Sequence, residues 1–145
     1  MKSKDLFAAF GAFLCIFFMA ALSDLDANNI WIIPPFGASL VLAMALPISP
    51  LARPKNIILG HVIAASAGVI TYQILGNNPL SIGIALGLAI YLMLITDTTH
   101  PPAGANPVLT VLGGESFDFI LMPVALGAIF IVAFSITYNR LIAKS

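Results

Sequence analysis

The residues best suited to chemistry lie in one polar stretch between long apolar segments. Residues 96–112 read TDTTHPPAGANPVLTVL and combine an acid, a histidine, an asparagine, threonines and prolines. At membrane depth such groups are expensive, because a bilayer offers no water to unpaired backbone and side-chain groups. A membrane protein that keeps this stretch is therefore expected to use it.

A shorter copy of the motif lies upstream. Residues 34–42 read PPFGASLVL and residues 101–109 read PPAGANPVL, so both follow the pattern P-P-x-G-A-x-x-V-L at an offset of about 67 residues. At the same offset Leu59-Gly60 corresponds to Leu126-Gly127. The pattern predicts a single transmembrane domain built from two repeats, about 1–76 and about 77–145. We call residues 34–39 the first proline turn and residues 101–106 the second.

Each proline turn is expected to begin a helix whose start can bind an anion. A helix N-terminus leaves about four backbone N–H groups unpaired and carries roughly half a positive charge, and proline is well tolerated at its first position. Two such starts facing each other would attract a small anion. The predicted substrate-binding residues are Gly37, Ala38, Ser39, His100, Gly104, Ala105 and Asn106.

Neighbouring polar residues extend this hypothesis. His100 would add a donor whose charge depends on pH near neutrality, and Asp97, Thr98 and Thr99 would line the entrance or couple transport to protons. Asp97 is equally compatible with a helix cap at the membrane edge. His61 is interpreted as a hydrogen-bonded packing histidine rather than a ligand.

A packing interpretation of the same glycines and prolines stays open. Paired prolines and glycines also serve as kinks and as points where helices approach closely. That role is expected for a further set of glycines, namely Gly60, Gly68, Gly83, Gly87 and Gly127.

Composition places the chain in a membrane. Of 145 residues, 60% are hydrophobic and 8% are charged, with a mean hydropathy of +1.05, whereas soluble domains carry about 25% charged residues. The lone Cys15 excludes an internal disulfide. The first apolar run, at 6–22, is expected to stay as a helix rather than to be removed as a signal peptide.

Six apolar segments follow from the hydrophobic runs and their breakers. They are 6–22, 36–46, 57–75, 80–95, 102–112 and 119–141. The second and fifth have about 11 residues, or roughly 17 Å of helix, against a hydrocarbon core of about 30 Å. Each is therefore predicted to be a broken half-helix that begins at P-P-x-G-A and is sheltered by protein.

Charge placement favours six crossings with both termini in the cytoplasm. That topology puts all basic residues on one side, as the positive-inside rule requires of short loops; they are Lys2, Lys4, Arg53, Lys55, Arg140 and Lys144. Asp24, Asp26, Glu115 and Asp118 fall on the other side. Because each repeat has three segments, the repeats are inverted. The predicted fold is an all-α membrane protein, located in a bacterial inner membrane.

The chain resembles the HPP family of small integral membrane proteins. The resemblance rests on Thr99-His100-Pro101-Pro102-Ala103-Gly104-Ala105, on the P-P-x-G-A-S of residues 34–39, and on the order of the apolar segments. The resemblance implies transport of nitrite, with which members of that family are associated.

The sequence therefore predicts a transporter or channel for a small inorganic anion, with nitrite as the leading candidate. No enzymatic activity, cofactor or nucleic-acid partner is expected, and the small bundle is expected to form a homo-oligomer in the bilayer. One alternative is a structural or regulatory membrane subunit without a substrate. Another is an intramembrane metalloenzyme using Asp97, His100 and His61, although no H-x-x-x-H or E-x-x-H spacing puts them on one helix face.

Overall fold

A computed structural model describes residues 3–25 and 30–142, with Ser3 described by its backbone only. Within these ranges the chain is 85% helix and has no strand. The helices in order are α1 (Ser3–Leu25), α2 (Pro34–Leu40), α3 (Pro54–Leu75), α4 (Pro79–Ile95), α5 (Asn106–Gly113), α6 (Phe117–Phe119) and α7 (Leu126–Ile142). Two π-helical segments, Val41–Ala45 and Ile120–Ala125, follow α2 and α6, and two 3₁₀ segments, Pro50–Ala52 and Pro101–Ala105, precede α3 and α5.

Proline and glycine set most of the helix ends. Pro34, Pro54 and Pro79 stand in the first turns of α2, α3 and α4, where a missing N–H removes no helical bond. As a result α3 begins three residues earlier than the predicted 57. At the other ends Gly76 and Gly114 adopt φ values of 70° and 67°, which a glycine tolerates and most side chains do not.

The last predicted segment is not one continuous helix. Met122 has extended backbone angles, φ −133° and ψ 120°, directly before Pro123. Proline removes a helical hydrogen bond and disfavours a helical conformation at the residue before it. The expectation of an uninterrupted helix over 119–141 was therefore wrong, and Pro123 was the signal that it overlooked.

Three helical stretches are long and apolar enough to cross a membrane. They are Lys4–Leu25, Pro54–Leu75 and Phe117–Ile142, the last of which contains the break at Met122. Pro34–Ala45 and Pro79–Ile95 are shorter apolar helices. An all-helical membrane protein is thus confirmed, with three long apolar helices and several shorter ones.

The central helix is α3, which packs against α4, α5 and α7. Glycines allow some of this close packing. A Cβ atom added at Gly68 would meet Thr110 Oγ1 and would lie 2.7 Å from the Pro107 Cα, and one added at Gly127 would meet the Phe36 ring. By contrast, a Cβ atom at Gly83 or Gly87 would have nothing within 4 Å, so neither of these two glycines is a packing point within the described chain.

Candidate functional site

Four polar side chains from four elements meet in the interior of the bundle. Ser39 lies on α2, His61 on α3, His100 directly before the second 3₁₀ segment and Asn106 at the start of α5. All four have an exposed fraction of 0%. We call this group the histidine centre.

The backbone of α3 comes close to the second proline turn because residue 60 has no side chain. A Cβ atom at Gly60 would lie 2.8 Å from the His100 Cβ and 3.0 Å from the Thr98 carbonyl oxygen. The next residue, His61, then lies with its ring centroid 5.1 Å from that of His100 and 5.2 Å from that of Phe36, each pair nearly edge to face. The glycine thus brings the two imidazoles together.

Hydrogen bonds connect these side chains into one continuous network. Ser39 Oγ lies 2.8 Å from His61 Nε2 and 2.8 Å from His100 Nε2. His100 Nδ1 lies 2.9 Å from the Leu51 carbonyl oxygen. At the other end, Asn106 Nδ2 lies 3.0 Å from both His61 Nδ1 and the His61 carbonyl oxygen.

With both imidazoles neutral, the direction of the bonds follows once the Ser39 proton is assigned. The Leu51 carbonyl can only accept, so His100 Nδ1 carries its proton and His100 Nε2 is an acceptor. The Ser39 hydroxyl faces two acceptors, His100 Nε2 at 2.8 Å and the Pro35 carbonyl at 3.2 Å, and we assign its proton to the shorter contact. The Ser39 oxygen then accepts from His61 Nε2–H, which leaves His61 Nδ1 to accept from the Asn106 amide. All donors in this assignment point from Asn106 toward Leu51.

The amide orientation of Asn106 follows from the same rule. Its Nδ2 group donates to two acceptors on His61, whereas Oδ1 is buried and has no hydrogen-bond partner among the described residues. The opposite orientation would place Oδ1 against the His61 carbonyl oxygen, and two acceptors repel each other. Asn106 therefore contributes to the centre through its Nδ2 group, and its Oδ1 takes no part.

The predicted entrance residues lie beside the centre rather than in it. Asp97 is 92% exposed, has φ 52°, and forms an ion pair of 3.4 Å with Lys55. Thr98 is buried and its hydroxyl lies 2.7 Å from that of Thr96, and the Thr99 carbonyl accepts from Asn56. These contacts fix the path of the chain into His100. They also separate Asp97 from the two histidines, so the residues of the metalloenzyme alternative do not meet.

Among the predicted substrate-binding residues, Ser39, His100 and Asn106 are brought together. Gly37, Ala38 and Ala105 are exposed, and Gly104 is half-buried.

The backbone donors of the two turns are fewer than expected from a helix start. The double prolines have no N–H, and the next amides donate locally, from Phe36 to Ile33 and from Ala103 to His100. Anion binding by the turn backbones remains a prediction, and the inward-facing polar groups are side chains.

Sequence reasoning missed the central place of His61. Its signal was a single imidazole in an otherwise apolar and small-residue helix, which suits packing and chemistry equally well. Its partners Ser39 and Asn106 are 22 and 45 residues away, so only the tertiary structure shows the link.

At the far end of the bundle, Glu115 is the described acid whose environment is altered. Burial raises the pKa of Glu115, because a carboxylate loses solvation when it leaves water. This acid therefore holds its proton to a higher pH than an exposed glutamate would.

The fold and the histidine centre define an integral membrane protein in which two proline turns meet at a buried polar group. The sequence matches the family described as HPP, transmembrane region, over residues 2–145. The chain belongs to this family.

Two curated relatives are transmembrane proteins of Dictyostelium discoideum. One is 32% identical over 145 residues, which cover 94% of this chain and 51% of the relative. The other is 32% identical over 127 residues, which cover 82% of this chain and 41% of the relative. The chain thus spans about half the length of the relatives it matches. No solved structure matches it.

Proposed function

We propose that this protein moves a small inorganic anion across a membrane, with nitrite as the first candidate. The observation that carries the proposal is the histidine centre, in which both proline turns place polar side chains in the interior of an apolar bundle. Buried polar groups at membrane depth are costly and typically mark the path of a substrate. A purely structural core could be filled more cheaply by hydrocarbon.

The chemistry of the centre suits an anion of single charge. The centre consists of an amide, a hydroxyl and two imidazoles, and no described carboxylate makes a hydrogen bond to it. Such groups can donate hydrogen bonds to an oxyanion, and imidazole can also supply a positive charge. We therefore assign substrate contact to Ser39, Asn106 and His100, with His61 added. Gly37, Ala38, Gly104 and Ala105 form the surrounding turns.

We propose that the helices form two inverted repeats of three segments. Contacts within the bundle occur in matching pairs when the segments 1, 2, 3 are exchanged with 4, 5, 6. Thus α1 contacts α7 as α3 contacts α4, and α1 contacts the π segment after α2 as α4 contacts α5. The two proline turns contact each other, as do α3 and α7, as expected of pairs that lie on the proposed twofold axis.

Contacts at the two ends of the bundle support six crossings. At one end, which we call the basic end, Lys55 pairs with Asp97, and Tyr138 and Asn139 donate to the carbonyls of Phe7 and Ala43. At the opposite end, which we call the acidic end, Asn77 donates to the Leu112 carbonyl. A depression at the acidic end is lined by Ile30, Glu115, Ser116, Asp118, Phe119, Met122 and Pro123.

We place the basic end in the cytoplasm of a bacterial inner membrane, following the positive-inside rule. Cysteines at Asn28 and Ser116, introduced after replacement of Cys15, should react with an impermeant thiol reagent added outside whole cells. A cysteine at Arg53 should react only after lysis. Reaction of the Arg53 position in intact cells would contradict this orientation.

We also propose a homo-oligomer, because a bundle of 145 residues buries little helix surface by itself. Chemical cross-linking in native membranes should yield a ladder of discrete multiples. A single monomer band at every cross-linker concentration would contradict it.

Uptake by purified protein in liposomes tests the function. Nitrite should enter faster than in protein-free liposomes, and nitrate, formate, chloride and bicarbonate should be compared under the same gradient. Asn106→Leu is the variant expected to stop uptake, and Ile33→Leu, at the apolar position that the repeat relates to His100, is its matched control. Equal uptake by protein-containing and protein-free liposomes for every anion would overturn the proposal.

A further inference from the structure

The amide of Asn106 is the one polar group of the histidine centre that is only half used. Its two N–H bonds go to His61, and its Oδ1 is buried without a partner among the residues that the structure describes. An unpaired buried acceptor is destabilising, and native structures keep few of them. A donor from a bound ligand or from a second orientation of the amide would satisfy it.

Protonation of His61 would supply that donor. The free acceptor nitrogen of neutral His61 is Nδ1, which faces Asn106. When Nδ1 gains a proton it becomes a donor, and the Asn106 N–H groups that faced it now repel it. Rotation of the amide by half a turn would replace this clash by a hydrogen bond from His61 Nδ1–H to Asn106 Oδ1. The rotation gives up the bond from Nδ2 to the His61 carbonyl oxygen and brings Oδ1 close to that oxygen. The new bond offsets this cost, because a hydrogen bond from a charged donor is roughly twice as strong as a neutral one.

We propose that Asn106 is a proton-operated switch that couples the binding of a monovalent oxyanion to protonation of His61. With His61 neutral, Asn106 turns its oxygen toward the interior and repels an anion. With His61 protonated, the rotated amide turns its NH₂ group to the same place, where it donates to the anion. The proton comes from solution with the anion, and no other bond is made or broken.

Charge balance favours the same coupling. The centre is fully buried and carries no net charge when its imidazoles are neutral. An isolated anion or an isolated imidazolium would be costly there, because neither would have a counter-charge. Bound together they cancel, so each one raises the affinity for the other, as thermodynamic linkage requires.

Apart from His100, the titratable groups around His61 lie farther away. His100 is the titratable side chain in ring contact with it among the described residues. The charged side chains on the elements packed around α3 lie toward the ends of the bundle; they are Arg53, Lys55, Asp97, Glu115, Asp118 and Arg140. The switch is therefore expected to respond to His61 and, through Ser39, to His100.

The test measures nitrite affinity of the purified protein in detergent between about pH 5.5 and 8, where nitrite itself stays ionised. One proton taken up per anion makes the affinity fall about tenfold for each pH unit above the point where free His61 titrates. His61→Gln, which keeps a hydrogen-bonding side chain but does not titrate here, should bind with an affinity independent of pH. Glu115→Gln, which removes a titratable acid at the acidic end of the bundle, is the control and should keep the slope.

The outcomes separate this switch from the proposed function on which it rests. Nitrite binding with a flat pH profile in the unmodified protein would overturn the switch and leave anion transport standing. A slope that persists in His61→Gln would mean that the proton binds to a group other than His61, such as His100, and would also overturn it. Absence of nitrite binding at every pH would overturn both proposals.

A spectroscopic measurement on the unmodified protein covers the case in which His61→Gln does not fold. Nitrogen NMR of ¹⁵N-labelled histidine separates protonated from bare ring nitrogens. At about pH 8 we expect His61 to carry its proton on Nε2, and saturating nitrite should add a proton at Nδ1. A His61 signal that nitrite leaves unchanged would overturn the switch.

Discussion

Two regions of the bundle occupy equivalent positions in the repeats but are filled with different chemistry. At the offset of about 67 residues, His61 on α3 corresponds to Ala128 on α7, and His100 before the second turn corresponds to Ile33 before the first. Both members of the first pair and both of the second are buried. One region is therefore lined by imidazoles and the other by hydrocarbon, with Ile33, Phe36 and Ala128 in one apolar cluster.

The backbone of the two regions is built by the same device. Gly60 lets α3 approach the second turn at the His100 Cβ, and its equivalent Gly127 lets α7 approach the first turn at the Phe36 ring. The two glycines thus have the same role, but the side chains that pack against them differ: His100 at Gly60 and Phe36 at Gly127. The two regions share one backbone arrangement, and what distinguishes them is the pair of imidazoles in one and the hydrocarbon in the other.

The largest effect on stability is expected when a histidine of the polar region is replaced by an apolar side chain. His100→Leu keeps a similar volume but leaves the Leu51 carbonyl without its partner. Ser39 loses one hydrogen bond and keeps those with the Pro35 carbonyl and His61. An unsatisfied group costs about 1–3 kcal/mol and a lost hydrogen bond about 0.5–1.5 kcal/mol, so we expect a loss of about 2–4 kcal/mol in the free energy of unfolding. Ile33→Leu, the matched control, should lose less than about 1.5 kcal/mol. Denaturant unfolding in micelles measures both, and equal losses would contradict the comparison.

A somewhat smaller loss of stability is expected from substitutions at the equivalent glycines Gly60 and Gly127. A methyl group at Gly60 would lie 3.0 Å from the Thr98 carbonyl, and one at Gly127 would lie 2.6 Å from the Phe36 Cζ. Overpacking of this kind costs about 1–3 kcal/mol, so Gly60→Ala and Gly127→Ala should lower the melting temperature alike.

The control for the paired glycines is Gly83→Ala, where the added Cβ would meet nothing within 4 Å. Removing a helical glycine there should leave stability unchanged or raise it by about 0.5–1 kcal/mol. A loss at Gly83 as large as at Gly60 would show that the effect comes from something other than close packing.

Much of the fold could be predicted because its signals are local. Pro34, Pro79 and Gly76 mark helix ends through properties of their own backbones, and hydrophobic length predicted the three long apolar helices. The break at Met122 also had a local signal in Pro123, which length and hydropathy alone obscured.

The histidine centre could be predicted only in part. The repeated motif pointed to Ser39, His100 and Asn106, because polar residues next to paired prolines stand out from an apolar background. It could not indicate which of them face inward, nor that His61 joins them, since these contacts depend on how α3 packs against both turns. The same limit placed Gly37 and Ala38 in the predicted site, whereas they lie on the surface.

The ion pair at the edge of the polar region should matter less than the centre itself. Asp97→Asn keeps a residue type that tolerates φ 52° and removes the charge facing Lys55. Exposed pairs contribute about 0–1 kcal/mol, so stability should change by less than about 1 kcal/mol and nitrite uptake by less than about threefold. If uptake falls far more while the melting temperature holds, Asp97 takes part in coupling, as one reading of the sequence allowed.

The smallest effect is expected at the glycines of the two proline turns. A Cβ atom at Gly37 or Gly104 would meet nothing within 4 Å, so Gly37→Ala and Gly104→Ala should both fold with normal melting temperatures. If the turn backbones bind the anion, each methyl group would displace it from the amides, and nitrite affinity would fall roughly tenfold or more in both variants. Because Gly37 is exposed and the inward donors are side chains, we expect a change of less than about threefold. Titration with nitrite decides between the two, and a large loss in only one variant would mean that the anion contacts the repeats unequally.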